Sequence, residues 1–236
     1  MELLERIKRD FTFDLDELKG LVIATLILAF IFTFRDWSLS NLFYAVLFIA
    51  LSLIVHVSVQ KIVGLQLGVK VDFRLWWYGL LAGLILVFIT NGQVWWVIVP
   101  GGVITSIIAK YRLGKFRYGL GYHLMGIVGF TGPVTSIILG SIFKNINLYT
   151  PITSALLDKI FIWNLVYAVW CLVPIPPLDG HYTFFAGRLT YAFVSGSIFV
   201  YCMLILILGV YSFIWALIGG GIIYALYYIF FERGFW

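Results

Sequence analysis

The segment PIPPLDGH, residues 174–181, lies between two long apolar runs and places the carboxylate of Asp179 where the core of a bilayer is expected. A charge at that depth is costly unless it is paired, hydrated or bound to a cation. The three prolines stop helix propagation, and irregular backbone is tolerated inside a membrane only where protein or a cavity satisfies its polar groups. The segment therefore predicts a functional site, with an acid at the tip of a broken helix.

The composition of the chain is that of an integral membrane protein. Of its 236 residues, 62% are apolar, 19% are aromatic and only 11% are charged, which is far from the values of soluble domains. The first twenty residues are charged and lack the short apolar core of a cleaved signal peptide. This composition predicts a lipid bilayer as the surroundings of the protein. Lys and Arg in cytoplasmic loops explain the net charge of +5, so we expect no nucleic acid as partner.

The distribution of apolar runs predicts the fold class. We expect an all-α polytopic membrane protein with about six to eight transmembrane or re-entrant helical segments. The segment from 75 to 109 is interrupted by Pro100 and forms either a hairpin of helices or a partly re-entrant loop. The candidate segments are residues 21–34, 41–59, 75–90, 94–109, 122–143, 160–173, 191–210 and 211–231.

The positions of the basic residues predict the orientation. A basic loop over residues 61–74 and a second basic cluster at Lys110, Arg112, Lys115 and Arg117 fit the cytoplasmic face. The same rule places the N-terminus and the proline segment toward the cytoplasm. We therefore expect a multi-pass protein of the cell membrane.

Several short motifs occur in order along the chain. Residues 132–136 read GPVTS, residues 100–103 read PGGV, and Asn164 precedes the proline segment. Together they resemble the motifs of the site-2 proteases, which are intramembrane zinc metalloproteases. GPVTS resembles the family's GPxxN, with Ser136 in place of the Asn, and PGGV resembles the PGAV of an archaeal branch. Asn164 with the proline segment resembles the family's Asn before PxxPLDG. The lead-in FTF at residues 11–13, followed by Glu-Leu, is similar to that of the same branch.

The resemblance extends over nearly the whole chain and implies one membrane domain. Residues 1–20 form a cytoplasmic lead-in, residues 41–190 a site-2 protease-like core, and residues 191–236 a C-terminal helical hairpin. In this core the resemblance implies that the acid of the proline segment, Asp179, is a zinc ligand.

The HExxH motif of the family is degenerate in this chain. The stretch GVKV at residues 68–71 sets residues 56–60, HVSVQ, onto that motif, so His56 is kept while Val57 stands at the base position and Gln60 at the second His. A catalytic zinc needs three protein ligands and a base that takes the proton of its water. An amide is a poor zinc ligand, and loss of a positioned base costs roughly 100- to 10,000-fold in rate. We therefore expect no catalytic residue and no cofactor, with zinc as the alternative.

We interpret His56, Gln60, Asp179 and Asn164 as a vestigial or pairing site. A neutral histidine or an imidazolium would give the carboxylate of Asp179 a companion in low dielectric, and the amide of Gln60 would donate a further hydrogen bond. Asp179 is also placed to cap the helix that begins near residue 180.

The alternative for this site is a metal centre. His181 lies two residues after Asp179 and, with His56, would complete a set of two histidines and one carboxylate. Cys171 and Cys202 lie within apolar runs, so a disulfide framework is not predicted, and we interpret Cys171 as a small apolar filler.

Three functions remain open at this point. The first is a catalytically inactive pseudoprotease that binds or regulates a membrane protein or a transmembrane segment. The second is an active intramembrane metalloprotease that cleaves with a rearranged metal site of His56, Asp179 and His181. The third is a structural subunit of a membrane complex in which the old site is filled.

Overall fold

The structure is a computed structural model and describes residues 2–108, 120–149 and 155–233. The basic cluster at residues 110–117 lies outside the described residues. Within them the chain is mostly helical. Its elements in order are α1 (Glu2–Asp10), α2 (Leu15–Thr33), α3 (Leu39–Leu67), β1 (Val69–Leu75), α4 (Trp77–Ile89), β2 (Gly101–Ile107), α5 (Tyr122–Tyr149), α6 (Ala155–Cys171), α7 (Asp179–Ala186), α8 (Arg188–Met203) and α9 (Phe213–Tyr227), with short π-helical turns at Leu204–Leu208 and Tyr228–Glu232.

Four of the described helical stretches are long and apolar enough to cross a membrane: Leu39–Leu67, Tyr122–Asn147, Arg188–Leu208 and Phe213–Glu232. These four support the prediction of a helical membrane protein. The other predicted segments are shorter or more polar. Helix α4, for example, has 13 residues, and at 1.5 Å per residue it extends about 20 Å, less than the roughly 30 Å of a hydrocarbon core.

The main departure from the predicted all-helical chain is a two-stranded antiparallel sheet. Strands β1 and β2 pair with Val69 opposite Ile107 and Leu75 opposite Gly101. Of the two alternatives for residues 75–109, the hairpin of helices is therefore wrong, because residues 101–107 form a strand. Pro100 and the two glycines after it break a helix, and the β-branched residues that follow favour a strand.

The predicted basic loop over residues 61–74 is also corrected. Lys61 lies within α3, which continues to Leu67 and ends at Gly68 with φ of 87°, a left-handed conformation that favours glycine. Lys61 is buried, and its Nζ donates to Glu17 Oε2 at 2.8 Å and to the carbonyl of Thr12 at 2.8 Å. This ion pair holds the start of α2 against α3.

The N-terminus of α2 is closed by a local pattern of hydrogen bonds. Asp14 is the N-cap, and its backbone N–H donates to Glu17 Oε2 at 3.0 Å in a capping box. The other oxygen of Glu17 accepts from the backbone N–H of Phe73 at 2.5 Å. One buried carboxylate therefore connects α2, α3 and β1.

Helix α5 forms the centre of the helical bundle and packs against α3, α6 and α7. Its small residues make this possible. A Cβ added at Gly129 would lie 2.7 Å from the carbonyl oxygen of Asp179, and one at Gly126 would lie 2.3 Å from the Cβ of Ala186. Both values are far below a normal van der Waals separation, so α7 packs directly against the backbone of α5.

Candidate functional site

The candidate site lies where α3, the first turn of α7 and strand β2 meet. His56 and Gln60 are four residues apart on α3, so their side chains project from one face of the helix. Asp179, within the proline segment, is the first residue of α7, and Leu178 is the N-cap, so the expectation that Asp179 caps this helix is wrong. All three residues are buried, with 2%, 0% and 1% of their surface exposed. The structure thus brings together side chains that are separated by more than a hundred residues of sequence.

The carboxylate of Asp179 is hydrogen-bonded from two elements. Its Oδ2 lies 3.2 Å from His56 Nε2 and accepts from Gln60 Nε2 at 2.9 Å. Its Oδ1 accepts from the backbone N–H of Val103, on β2, at 3.4 Å. The close approach of β2 depends on Gly102, because a Cβ there would lie 2.0 Å from the carbonyl oxygen of Pro177.

The imidazole of His56 is fixed on both sides. Its Nδ1 lies 2.8 Å from the hydroxyl of Ser136, on α5, and its ring lies 4.8 Å from that of Tyr167, on α6, between centroids. Gly132 leaves the room for this ring, since a Cβ at that position would lie 2.3 Å from His56 Nε2. Ser136, which stands in place of the Asn of GPxxN, therefore orients the histidine.

Cys171 is the site residue that sequence reasoning missed. His56, Cys171 and Asp179 each offer a metal-binding atom, and these atoms all lie within 4.8 Å of one another. Cys171 ends α6 and is 2% exposed. Its only signal in the sequence is a thiol three residues before the prolines, and its proximity to His56 depends on how α6 packs in the bundle. The interpretation of Cys171 as an apolar filler does not consider that its Sγ is able to bind a metal ion.

His181 and Asn164 make other contacts. His181 is not part of this group of metal-binding atoms, and its ring packs at 4.8 Å from that of Phe185 between centroids. Asn164 is fully buried on α6, where its Nδ2 donates to the carbonyl of Ile160 at 2.9 Å. No hydrogen bond joins Asn164 to His56, Gln60 or Asp179 among the described residues.

The residues at this site do not fit the catalytic zinc centre that the resemblance implies. Val57, at the base position, is fully buried in the main apolar cluster of the protein. Gln60 presents its Nε2, a donor, to Asp179, whereas the family uses a histidine nitrogen as a ligand at this position. The donor set formed by His56, Cys171 and Asp179 is a different one, although a thiolate, an imidazole and a carboxylate are all ligands of Zn²⁺.

The comparisons with known proteins gave one relevant similarity. The chain is 29% identical over 175 residues to a protein of Methanocaldococcus jannaschii described as a putative zinc metalloprotease, and the match covers 72% of this chain and 84% of that protein. No protein-family model matches the chain, and no solved structure matches it significantly. The weak similarity to this archaeal protein is consistent with a site-2 protease-like family.

Proposed function

We propose that the protein is a site-2 protease-like membrane protein that does not hydrolyse peptide bonds and instead binds or regulates a membrane protein or a transmembrane segment. The observation that carries this proposal is the side chain at the base position. Val57 has no titratable group and is 0% exposed among apolar side chains. A water molecule activated beside it would have no residue at that position to take its proton.

The burial of the polar cluster supports the same proposal. The side chains of His56 and Asp179 are 3% and 2% exposed, and they bond to each other or to Gln60 and Ser136. A protease has to admit a peptide bond to its acid and its metal ligands. Both ring nitrogens of His56 and both carboxylate oxygens of Asp179 already have partners, which favours a scaffold role.

Two apolar grooves along α8 offer the binding surface. The first, of about 320 Å³, lies between α6, the proline segment and α8, and includes Val173 and Pro174. The second, of about 200 Å³, lies between α5, α7 and α8, and includes Ile127 and Thr183. Both are lined mainly by apolar side chains, which suits an apolar helix more than a polar peptide.

Proteolysis is tested with reconstituted protein. The full chain and a Val57→Glu/Gln60→His variant, which restores the family motif, are incubated with zinc and a panel of single-span peptides in liposomes. Mass spectrometry of the products is expected to show no cleavage by the parent above the level of an Asp179→Asn control. Zinc-dependent cleavage by the parent that is lost in Asp179→Asn would overturn the proposal in favour of a rearranged metalloprotease.

Binding is tested separately with a photo-crosslinking amino acid. It is placed at Ile127, which is 39% exposed and lines the second groove, and at Leu226 on α9, which is 48% exposed and lines neither groove. A single-span peptide held in the groove is expected to crosslink at position 127 and to be displaced by excess unlabelled peptide. Equal, unsaturable labelling at both positions for every peptide would argue against a binding groove and for a filled structural subunit.

A further inference from the structure

Three kinds of zinc-binding atom converge inside the protein with no lysine or arginine among their hydrogen-bond partners in the described residues. They are a ring nitrogen of His56, Cys171 Sγ and a carboxylate oxygen of Asp179, all within 4.8 Å of one another. Zinc bonds of about 2.0–2.3 Å in a tetrahedron separate neighbouring ligand atoms by about 3.3–3.8 Å. His56 Nε2 and Asp179 Oδ2, at 3.2 Å, already stand near that separation, so small side-chain movements would close the set.

Gln60 supplies an independent observation. Its side chain is 0% exposed, and its Oε1 has no hydrogen-bond partner among the described residues. Its Nε2 lies 2.9 Å from Asp179 Oδ2, and a half-turn of the amide exchanges the oxygen and the nitrogen. Two oxygen acceptors at that distance repel each other unless a cation lies between them. A cation bound beside Asp179 would therefore coordinate the turned oxygen, while the amide nitrogen would give up its bonds to Asp179 Oδ2 and to the carbonyl of Val128, at 3.5 Å.

The surrounding hydrogen bonds orient the donor atoms toward a common point. If His56 Nδ1–H donates to the hydroxyl of Ser136, at 2.8 Å, Nε2 keeps its lone pair for a metal, which is the usual arrangement behind a metal-binding histidine. The backbone N–H of Val103 holds Asp179 Oδ1 and leaves Oδ2 for the metal. Each partner fixes one atom of a ligand and leaves the other atom for coordination.

We infer that the protein binds one zinc ion through His56, Cys171 and Asp179, with the carbonyl oxygen of Gln60, a weaker ligand than these three, in the fourth position. The thiol of Cys171 releases its proton to solvent when the metal binds. The thiolate selects zinc over magnesium or calcium, which prefer oxygen ligands. Four protein ligands leave no open position for water, so this is a closed, structural centre and not a catalytic one. It is compatible with the proposed function but does not depend on it.

Cobalt is the probe that reports the thiolate. The full chain is purified in mild detergent, stripped with a chelator and titrated with Co²⁺. One equivalent is expected to give a sulfur-to-cobalt charge-transfer band in the near ultraviolet and the intense visible bands of tetrahedral cobalt, and Zn²⁺ is expected to displace both. Cys171→Ser is expected to lose the charge-transfer band and to weaken zinc binding by at least about tenfold.

Cys202→Ser is the matched control, because Cys202 is also a buried free thiol and lies outside this group of atoms. It is expected to bind cobalt and zinc like the parent. Cys171→His tests whether a loss reflects misfolding: it should retain zinc and tetrahedral cobalt bands without the sulfur band. The inference is overturned if the parent binds less than one equivalent or shows no sulfur band, or if Cys171→Ser keeps that band. None of these readouts involves peptide cleavage, so the zinc inference and the proposed function fail or stand separately.

Discussion

Glu17 and Asp179 are both buried carboxylates that contact α3, yet their hydrogen-bond partners differ in charge. Glu17 accepts from the ammonium group of Lys61 and from the backbone N–H groups of Asp14 and Phe73. Asp179 accepts from a neutral amide and a backbone N–H, and its histidine partner is charged only if protonated. The first carboxylate has a permanent cation beside it, whereas the second has none among the residues that the structure describes.

This difference separates a structural ion pair from a site with residual capacity for a cation. A buried ion pair whose remaining lone pairs are satisfied gains nothing from a further ligand, and removal of one partner leaves an uncompensated charge. A carboxylate beside an imidazole, a thiol and an orphaned amide oxygen gains an electrostatic partner when a metal binds. Substitutions at and around the two carboxylates test this contrast. All stability measurements use chelator-treated protein, so that a bound metal does not contribute.

The largest expected effect is at the ion pair. Lys61→Met removes the ammonium group and leaves the charge of Glu17, which is 4% exposed, without its cation. We expect a loss of about 3–5 kcal/mol in the free energy of unfolding, as for other buried pairs that lose one partner. The measurement is reversible unfolding in mixed detergent micelles, followed by circular dichroism.

The control is the double variant Lys61→Met/Glu17→Gln, in which no charge is left unpaired. It is expected to be more stable than Lys61→Met alone, with a clear coupling between the two positions in a double-mutant cycle. If Lys61→Met cost only the ~1 kcal/mol of a surface pair, the contrast between the two carboxylates would not hold.

The next effect concerns the packing around the second carboxylate. Gly132→Ala on α5 puts a Cβ at 2.3 Å from His56 Nε2 and 2.5 Å from Gln60 Nε2, so the two side chains must move away from Asp179. Overpacking of this kind costs about 1–3 kcal/mol. Gly221→Ala on α9 is the matched control, because a Cβ there meets nothing within 4 Å, and it is expected to be neutral or stabilising. Equal effects of the two substitutions on unfolding would show that the cluster is not tightly packed.

The two acids are compared directly by replacing each with its amide and measuring the loss in the free energy of unfolding. Asp179→Asn keeps an oxygen and a nitrogen within reach of His56 and Gln60 and leaves no buried cation unpaired, so we expect a loss of about 1 kcal/mol. Glu17→Gln leaves the ammonium group of Lys61 with less compensation and is expected to cost about 3 kcal/mol. The two variants are measured side by side by the same unfolding assay. An Asp179→Asn loss as large as that of Glu17→Gln would mean that a charged partner, such as protonated His56, already balances Asp179.

Structural features formed by residues close together in the sequence were predictable, and contacts between residues far apart in the sequence were not. The capping box of Asp14 and Glu17 is a pattern of four residues, so its spacing alone predicts it. The long apolar helices and the small residues of α5 are also properties of single segments. The ion pair of Glu17 with Lys61 joins residues 44 positions apart, and Lys61 was instead assigned to a cytoplasmic loop.

The site shows the same division. The motif pattern pointed to His56, Gln60 and Asp179 because a family resemblance supplied the long-range relation. Cys171 occupies no position that such a pattern marks as a ligand, so only the packing of α6 reveals it. The strand β2 was missed because a short apolar run has no periodicity that separates a buried strand from a helix, and its pairing partner β1 lies 26 residues earlier in the sequence at the closest pair, Leu75 with Gly101.

The smallest expected effect comes from an exposed pair, which gives the scale for the buried one. Lys144 Nζ lies 2.6 Å from Asp158 Oδ1, and the side chain of Asp158 is 46% exposed. The hydrogen bond from Lys144 is the largest cause that lowers the pKa of Asp158 below its ordinary value. The folded state therefore binds this proton less tightly than the unfolded state. The stabilisation is complete above the ordinary pKa of about 3.9 and disappears as the pH falls through the lower folded value.

Because solvent screens this pair, we expect Lys144→Met to cost only about 0.5 kcal/mol at neutral pH. The difference between parent and variant should shrink when unfolding is repeated below the ordinary pKa of the carboxyl group. Lys144 Nζ also lies 6.0 Å from the ring centroid of Phe161, and a cation–π contribution would not depend on the protonation of Asp158. A difference that stays constant with pH would therefore assign the effect to the ring and not to the ion pair. A cost near that of Lys61→Met would show that burial does not set the strength of these pairs.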